Sequence, residues 1–589
     1  MNNPPLSVMR KVALFICTIY ATVALAQWGN SVAEPLWFNT EDEYFFSYDM
    51  QATPEGNTWM WINYIGDTHY VQLYDSTGVA LLGEWPMLVS DYPDRLTGYV
   101  NNNLFVDREG NAIVVVSDLR HAPSGTDHGN FTAYKISQTG EMLWGEDGVS
   151  LDRGQGSHIN ACMGITQLSD GSYVFTWTHC DDDEVLFSID MQRVSAEGEL
   201  LWDAQETRLT DPQQKVTYFW TFVVDAGKGQ CIVVYTRGSN NDLYARKIDF
   251  DGTPVWSEDT RIYNGGFLNT PLWGVMDVEP SGDGGVIVTW YDDRYNEGVE
   301  SIYMAYVKPN GELGFSAGNG GQRLSYSGYR ALSTTCTYDP HSDTFIALWR
   351  EATMGQGDYR VVAQSISKDG DLLWGEEGKV IEDFAEHVSY GDLHLRTAHD
   401  GEIATFFMRR NSLSYGNIDV CMQILDTHTG DMLWDKSRVL TDTLAPTEKN
   451  EIQVTDMLPN GSWVFGWDDR GTESTPDYKR LYLNRANYDG TVGNPEGAAV
   501  EQVESSDNAT IALLAQAEGK LVFAIDVQEY TPATISLYNI NGVHIATPFD
   551  GNLPAGREIV ESVTNLPSGI YFATLSTPND VKTIRIIIK

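Results

Sequence analysis

The sequence predicts an all-β fold: a large β-propeller, with eight blades favoured, followed by a small Ig-like β-sandwich. Three observations support this fold class. A unit of ~59 residues recurs through most of the chain, short β-rich runs alternate with Gly, Asn and Asp turns, and further short strands follow where the repeat stops. With 42% hydrophobic and 12% aromatic residues, the chain has enough apolar material for a folded core.

The repeat is marked by a glycine in a turn. Eight such glycines occur at intervals of 54 to 62 residues: Gly78, Gly140, Gly198, Gly252, Gly311, Gly370, Gly430 and Gly490. In six of the eight units a large aromatic residue stands four positions later: Trp144, Trp202, Trp256, Phe315, Trp374 and Trp434. We expect each glycine to adopt a left-handed backbone conformation. We expect the repeated aromatic side chains to pack between blades.

Each unit contains four predicted strands. In the third unit they are residues 159–168, 173–178, Phe187–Val194 and 200–202, and turns rich in Gly and Asp separate them. Four antiparallel strands per unit are typical of a propeller blade. A linear solenoid, which needs capping ends, is the alternative architecture. A ring of seven blades and a split array also remain open.

The two ends of the repeat region offer a way to close the ring. Residues 35–37 (Pro-Leu-Trp) resemble the Gly-x-Leu-Leu-Trp segment of other units. The eighth unit instead has the polar Asn494 where others have an apolar or aromatic residue. We therefore expect the strand around Trp37 to complete the eighth blade, which would leave no open sheet edge. The predicted propeller covers residues 27–493.

Residues 1–26 have the pattern of a secretory signal peptide. Arg10 and Lys11 precede an apolar run, and small residues up to Ala26 prepare a cut before Gln27. A membrane anchor is the alternative, but the apolar run of about 15 residues is short for a ~20-residue span. We expect no transmembrane span after cleavage.

The chain is strongly acidic, with 82 Asp and Glu against 38 Lys and Arg and a formal net charge of −44. This charge argues against a nucleic-acid binder, because phosphate contacts need Lys and Arg, and it disfavours an anionic membrane surface. Cys162 and Cys180 flank a predicted hairpin turn. A disulfide between them is compatible with export, and buried free thiols are the alternative.

Residues 494–508 predict a linker, and residues 509–589 return to short strands. Three sequence blocks occur there in order: a Leu-Tyr-Asn strand end with a turn at Gly542, a Leu-Pro-Ser-Gly-Ile-Tyr segment containing Gly569 and Tyr571, and a basic final strand ending at Lys589. These blocks resemble the C-terminal sorting domain of type IX secretion cargo. The resemblance implies a Bacteroidota-type bacterium, handling by the type IX secretion machinery, and a secreted or outer-membrane-surface protein.

An Asp-x-Arg motif ends the second strand of three units and contains Arg120, Arg294 and Arg470. A structural ion pair that recurs with the blades is one interpretation, and a ring of ligand-contacting arginines is the other. The Ser-x-Asp-x-Gly-x-Thr-Trp turns of sialidase-like propellers do not occur in the sequence.

Aromatic clusters that break the repeat are candidates for ligand contact, although strand alternation would bury half of each cluster. They contain Trp59, Trp61 and Trp220.

The acidic run Asp181, Asp182, Asp183 and Glu184 is a candidate Ca²⁺ site, because Ca²⁺ prefers several oxygen ligands; a solvated surface is the alternative. The sequence indicates no other cofactor, and it nominates no catalytic residue. We therefore predict a propeller that binds a glycan, a protein or a host-surface ligand without turnover. A polysaccharide hydrolase or lyase with its site in the propeller funnel is the first alternative, and a structural adhesion component is the second.

Overall fold

The computed structural model describes the larger part of the chain. The described residues are 28–29, 35–38, 45–64, 68–83, 85–93, 103–120, 129–152, 161–180, 187–202, 208–209, 218–238, 242–264, 276–294, 299–315, 320–411, 417–441, 447–470, 480–494, 509–517, 520–527, 530–539, 544–563, 566, 569–578 and 581–588. Within these ranges the regular structure consists of strands, with no helix. The chain divides into two compact units, Met1–Asn494 and Pro495–Lys589.

The described residues of the first unit form eight antiparallel sheets of four strands each, which we number as blades 1 to 8. The short strand β1 (Leu36–Trp37) belongs to the last blade. Blade 1 contains β2 (Phe45–Ala52), β3 (Thr58–Tyr64), β4 (Thr68–Tyr74) and β5 (Met87–Ser90). Blade 2 contains β6 (Leu104–Val106), β7 (Ala112–Asp118), β8 (Asn130–Ile136) and β9 (Val149–Ser150).

Blades 3 to 5 follow with the same strand order. Blade 3 contains β10 (Ala161–Gln167), β11 (Tyr173–Cys180), β12 (Phe187–Val194) and β13 (Arg208–Leu209). Blade 4 contains β14 (Tyr218–Asp225), β15 (Cys231–Arg237), β16 (Asp242–Ile248) and β17 (Thr260–Tyr263). Blade 5 contains β18 (Met276–Pro280), β19 (Val286–Asp292), β20 (Ser301–Val307) and β21 (Gln322–Arg323).

The last three blades complete the ring, and the eight-bladed propeller fold is confirmed. Blade 6 contains β22 (Arg330–Asp339), β23 (Thr344–Ala352), β24 (Tyr359–Ile366) and β25 (Lys379–Glu382). Blade 7 contains β26 (Ser389–Thr397), β27 (Glu402–Arg410), β28 (Ile418–Asp426) and β29 (Arg438–Val439). Blade 8 contains β30 (Lys449–Val454), β31 (Ser462–Asp469), β32 (Arg480–Asn487) and β1.

The hydrophobic core lies between the blades. Each of eight clusters of buried side chains joins two neighbouring blades, and the eight follow one another around the ring. One cluster, for example, packs Trp59 and Trp61 of blade 1 against Val114 and Tyr134 of blade 2. Because a sheet buries both faces only when flanked on both sides, the closed ring accounts for the near-continuous burial of the middle strands.

The repeated turn glycines lie at the contacts between neighbouring blades. All eight have a positive φ, between 71° and 97°. At Gly198 a Cβ atom would also lie 2.8 Å from Cδ1 of Trp144 in the preceding blade. The Trp144 indole nitrogen donates to the carbonyl oxygen of Ala196 at 3.0 Å. The glycine therefore serves both the turn and the contact with the repeated aromatic residue.

The predicted closure by the N-terminal segment is confirmed, because β1 pairs antiparallel with β32. The equivalence drawn between Trp37 and the repeated tryptophans is wrong. In the other blades the fourth strand begins after that tryptophan, as β9 does after Trp144. Trp28 fills the tryptophan place in blade 8, where its indole nitrogen donates to the carbonyl oxygen of Ser76 at 3.1 Å.

The third unit follows the sequence prediction in its first three strands and departs from it in the fourth. The fourth strand is β13, and not residues 200–202; Leu200 makes only an isolated bridge to Val194. The β10–β11 register pairs Ala161 with Thr178 and does not set Cys162 opposite Cys180. The side chains of both cysteines lie outside the described residues.

The second unit is built from two antiparallel sheets. One contains β33 (Ala509–Ala517), β34 (Lys520–Val527) and β37 (Gly556–Val563), and the other contains β35 (Thr531–Asn539), β36 (His544–Leu553), β38 (Gly569–Ser576) and β39 (Val581–Ile588). Side chains of both sheets, including Phe523 and Ile535, form one core. The two-layer arrangement is that of a β-sandwich; its Ig-like character stays a prediction.

Candidate functional site

The first strand of each blade lines the centre of the ring. First strands of neighbouring blades contact one another, as β18 and β22 do. Two cavities of about 420 and 440 Å³ lie along these strands, the first against blades 1 to 5 and the second against blades 5 to 8. Asp277 and Glu279 line both cavities. This central channel is the candidate ligand site, because cavities of a few hundred Å³ are the size of small-molecule pockets.

Polar side chains of the first strands bond to the exposed backbone edge of the next blade. In blade 1, the Gln51 side chain donates from Nε2 to the carbonyl oxygen of Leu104 at 2.8 Å. Its Oε1 accepts from the backbone nitrogen of Val106 at 2.9 Å. Burial raises the pKa of Asp49, two residues earlier on the same strand face, to about 7, although hydrogen bonds from the backbone of Met50 and Leu104 lower it.

Blade 5 repeats this arrangement toward blade 6. The Asp277 carboxylate accepts from Oγ1 of Thr335 at 2.7 Å and from the backbone nitrogen of Cys336 at 2.9 Å. Blade 7 does the same toward blade 8: Nε2 of His394 lies 2.9 Å from the carbonyl oxygen of Ile452. These bonds occupy polar groups on the inner edges of blades 2, 6 and 8, which would otherwise face the channel unpaired.

Arg396 extends the set of inter-blade bonds in blade 7. Its Nε donates to the carbonyl oxygen of Val454 at 2.9 Å, and its Nη1 donates to the carbonyl oxygen of Leu395 at 2.8 Å. The same Nε lies 3.8 Å from Oδ1 of Asp456, whose side chain is mostly exposed. Burial, followed by the charge of Arg396, lowers the pKa of His394 to about 3. The histidine is therefore neutral at physiological pH.

Glu279 differs from the residues that occupy its place in blades 1 and 7. The three equivalent residues each pair with the residue three positions after a positive-φ turn glycine: Gln51 with Trp59, Glu279 with Ile287, and Arg396 with Ala404. Gln51 and Arg396 bond to the next blade. The side chain of Glu279 makes no hydrogen bond to any residue that the structure describes, and it lines both cavities.

The electrostatic surroundings of Glu279 favour its neutral form. Burial raises the pKa of Glu279 to about 8, and the negative charges of Asp277 and Asp456 add to this effect, while Arg396 opposes it. At neutral pH the side chain is therefore a carboxylic acid that donates one hydrogen bond and accepts others.

The opposite side of the channel, in blades 2 to 4, carries apolar side chains among polar ones. Phe105 of blade 2, Ile165 of blade 3, and Phe222 and Val224 of blade 4 line the first cavity. At the turn end of these strands, Nη2 of Arg108 forms an ion pair with Oδ2 of Asp225 at 2.9 Å, and the same guanidinium donates to backbone carbonyl oxygens of blade 3. The channel therefore has a mixed wall in blades 2 to 4, where polar residues such as Thr166 and Gln167 lie among the apolar ones, and a polar wall in blades 5 to 8.

The arginines of the Asp-x-Arg motifs lie in separate clusters in blades 2, 5 and 8. Arg294 forms an ion pair with Asp292 at 2.6 Å and donates to the carbonyl oxygen of Gly320 at 2.7 Å. Its guanidinium carbon lies 3.4 Å from the ring centre of Tyr303 and 4.5 Å from that of Tyr263. This packing agrees with the structural interpretation of the motif.

The other two motifs differ in how much of the arginine they expose. Arg120 pairs with Asp118 at 2.8 Å, donates to the carbonyl oxygen of Asp147 at 2.6 Å and is 6% exposed. Nε of Arg470 lies 3.7 Å from Oδ2 of Asp468, and the Arg470 side chain is 42% exposed. A ligand role for the three arginines stays a prediction to which this geometry adds no support.

The three tryptophans proposed for ligand contact are buried. Trp59 and Trp61 are 0% and 1% exposed, and Trp220 is 7% exposed. Trp59 donates from its indole nitrogen to the carbonyl oxygen of Gly110 at 2.9 Å, while Trp61 stacks on His69. Trp220 has a φ of 45° at a bulge in β14. These positions give the three rings almost no solvent-facing surface. Their binding role stays a prediction.

Several predicted site residues lie outside the described residues: Asp181, Asp182, Asp183, Glu184, Gly542 and Lys589. The structure therefore does not test the predicted Ca²⁺ site in the acidic run. Among the residues that the structure does describe, no group of three or more His, Cys, Asp or Glu side chains could hold a metal ion. Gly569 and Tyr571 both lie in β38, and Tyr571 packs in the core of the second unit.

The residues that line the channel were not identified from the sequence. Asp277, Glu279, His394 and Arg396 belong to no known motif, and their chain positions give no sign that they meet. One signal was present: in strands aligned by the turn glycines, these charged or ionisable residues replace the apolar or neutral residues of other blades, such as Phe105 or Thr166. The alignment crosses no bulge, because the bulges lie earlier in these first strands. The repeat alone does not give the information that these positions face a channel.

Comparison with solved structures yields many matches of low similarity. The propeller domain of the Trilobed protease from Pyrococcus furiosus is 9% identical, with a TM-score of 0.34, over 68% of this chain and 98% of that one. The endo-arabinase from Bacteroides thetaiotaomicron is 12% identical, with a TM-score of 0.26, over 45% and 92%. The α-L-arabinanase from Penicillium chrysogenum, complexed with arabinobiose, is 11% identical, with a TM-score of 0.28, over 65% and 93%.

These scores are too low to transfer a site or an activity, and no curated protein matches the chain. Within the described ranges, no helix has the length and apolar character needed to span a membrane. The comparison with protein families matches the end of the chain: residues 517–589 match the secretion system C-terminal sorting domain. The protein therefore carries a type IX secretion C-terminal sorting domain, and it is exported to the cell surface or the extracellular space.

Proposed function

We propose that the propeller is the binding module of this exported protein and that it holds a glycan, a protein or a host-surface ligand at the central channel without turnover. One observation carries the proposal: the channel holds two adjoining cavities, the first lined by apolar and polar side chains together and the second mainly by polar ones. Ligand sites combine apolar surface with a few placed polar groups in this way. Asp277 and Arg396, two of the polar residues that line the channel, already bond to the next blade.

The test uses the full exported chain and a variant with a filled channel. Thr337 lines the second cavity, so Thr337→Trp places a large side chain in it. Thr139→Trp, in an exposed turn of blade 2, is the matched control. Retention on immobilised polysaccharides and matrix proteins is measured while the supernatant is assayed for released fragments.

We expect saturable retention, with no fragments, that Thr337→Trp reduces at least tenfold and Thr139→Trp leaves unchanged. Equal retention of both variants, at equal thermal stability, would place the ligand outside the channel. Fragments that the wild type releases and Thr337→Trp does not would show that the channel cleaves its ligand, and the binding function would be wrong.

Hydrolysis is the second candidate function, and one observation favours it. Glu279 has a pKa raised to about 8, and a neutral carboxylic acid is what a glycosidase needs as its general acid. In that case Glu279→Gln would abolish fragment release, because glutamine cannot deliver a proton to a leaving group, while retention would persist.

A further inference from the structure

The channel side chains reveal which group is left for a ligand. Blades 1, 5 and 7 each carry two polar side chains two residues apart on one face of the first strand: Asp49 with Gln51, Asp277 with Glu279, and His394 with Arg396. Five of these six are hydrogen-bonded to backbone groups, all of them to the next blade. The sixth, Glu279, has no such bond within the described chain.

The position of Glu279 gives it access to both walls of the channel. It lines the first cavity together with the apolar side chains of Phe105 and Phe222, and it lines the polar second cavity together with Thr337 and Arg396. A ligand that touches Glu279 is therefore placed between apolar side chains on one side and hydroxyl and charged groups on the other.

We infer that Glu279 is the ligand-contacting and specificity-determining residue of the channel, and that it binds an uncharged, hydroxyl-bearing ring such as one residue of a neutral saccharide. This inference rests on the proposed binding function. A sugar ring has C–H faces that pack against apolar side chains and hydroxyl groups that both donate and accept hydrogen bonds. These are the two kinds of surface that the channel walls present.

The charges around the site explain why the ring is uncharged. Asp277 and Asp456 flank the cavity, so a carboxylate on the ligand would meet like charges. The cation at the site, Arg396, already donates to two carbonyl oxygens, so it is poorly placed to bind an anion. A protonated Glu279 both donates and accepts, and a ligand ammonium group, which has donors only, would leave the Glu279 proton without an acceptor.

The raised pKa of Glu279 gives the inference a pH signature. Binding through its proton weakens as the pH rises through about 8, because the ionised carboxylate loses its donor. One pH unit above that value, a contact that requires the proton is weakened about tenfold. A residue with a purely structural role would not produce this dependence in the affinity alone.

The experiment measures binding of six soluble tetrasaccharides to the full chain by ligand-observed NMR at pH 6.5 and 9.0. Four are neutral and built from glucose, galactose, xylose or arabinose; one is built from glucosamine and one from galacturonate. The variants are Glu279→Ala and Glu279→Gln, with Glu312→Gln in an exposed turn as the matched control. Thermal unfolding of each variant shows whether the propeller is intact.

We expect at least one neutral tetrasaccharide to bind at pH 6.5 and to weaken about tenfold at pH 9.0. Glu279→Ala should weaken it at least tenfold. Glu279→Gln should bind within threefold of the wild type at pH 6.5 and lose the pH dependence, because an amide keeps a donor and does not ionise. Glu312→Gln should match the wild type.

Three outcomes overturn the inference: no neutral tetrasaccharide binds, a charged one binds more tightly at pH 6.5, or an intact Glu279→Ala variant binds as the wild type does. If Thr337→Trp abolishes retention of some ligand that Glu279→Ala still binds, the inference fails and the proposed function stands. If no ligand responds to either change, both fail.

Discussion

The indole nitrogen of Trp28 donates a hydrogen bond to the carbonyl oxygen of Ser76, with the two atoms 3.1 Å apart. The same bond joins Trp144 to Ala196 and Trp256 to Pro309 in other blades. Trp28 is 1% exposed. A residue from before the first blade thus occupies the aromatic place that the eighth blade lacks.

Replacing Trp28 by Ala should destabilise the propeller by about 3 to 5 kcal/mol, because a large buried side chain and its hydrogen bond are removed. Trp85 is 67% exposed, so Trp85→Ala should change the free energy of unfolding by less than about 0.5 kcal/mol. Thermal unfolding of both variants measures the difference. Equal unfolding temperatures would show that the Trp28 indole does not hold the ring closed.

A comparison of two turn glycines distinguishes the free energy lost through backbone strain from the free energy lost through a clash with the neighbouring blade. Gly198 and Gly171 have φ values of 92° and 84°, so alanine strains the backbone at both, by about 1 to 2 kcal/mol. A Cβ at Gly198 would meet Trp144 at 2.8 Å, whereas one at Gly171 meets nothing within 4 Å.

Gly198→Ala should therefore be the more destabilising of the two substitutions by at least about 1 kcal/mol, the cost of overpacking a fixed neighbour. Urea denaturation followed by tryptophan fluorescence checks this. Similar losses in the two variants would mean that Trp144 moves aside freely.

Arg294→Met should destabilise blade 5 by about 3 to 5 kcal/mol, because it leaves the fully buried Asp292 without its ion pair. The exposed pair of Arg261 with Asp242 is the control, and Arg261→Met should cost less than about 1 kcal/mol. Denaturation midpoints compare the two. If Arg294→Met left stability unchanged but impaired retention of a ligand, the arginine would belong to a binding site.

The pH dependence of stability should report Asp49 together with Glu279, whose pKa is also raised. The pKa of Asp49 in the folded protein is about 7 against an ordinary value of 3.8, so the folded state holds this proton more tightly. The stabilisation that Asp49 provides is present below about pH 4 and is lost as the pH rises through 7, at up to about 1.4 kcal/mol per unit.

Asp49→Asn should remove the share of this decline that Asp49 causes and leave the share that Glu279 causes, while Asp371→Asn, in an exposed turn, should leave the decline unchanged. The free energy of unfolding is measured at pH 5, 6, 7 and 8 for the three proteins. A decline of equal slope in Asp49→Asn would assign the proton to another group.

The sequence was sufficient for features that repeat. The spacing of the turn glycines predicted eight units, and the polar Asn494 predicted a missing strand. It was insufficient where a residue acts through its neighbours in space: Trp28 lies nine residues before Trp37, and no local pattern marks it as the closing aromatic residue. Likewise Glu279 is distinguished only by the side-chain bond that it does not make, which depends on how β18 packs against β22 of the next blade.

The pairing of β1 with β32 has a consequence for how the chain folds. Leu36 lies opposite Leu483, so the last sheet joins segments separated by almost the whole propeller. Bringing the ends of such a long flexible segment together costs on the order of 5 kcal/mol of entropy. This sheet is not complete until the chain has been synthesised as far as residue 487. Until then the ring is open, because blades 1 and 7 both lack the neighbour that blade 8 provides.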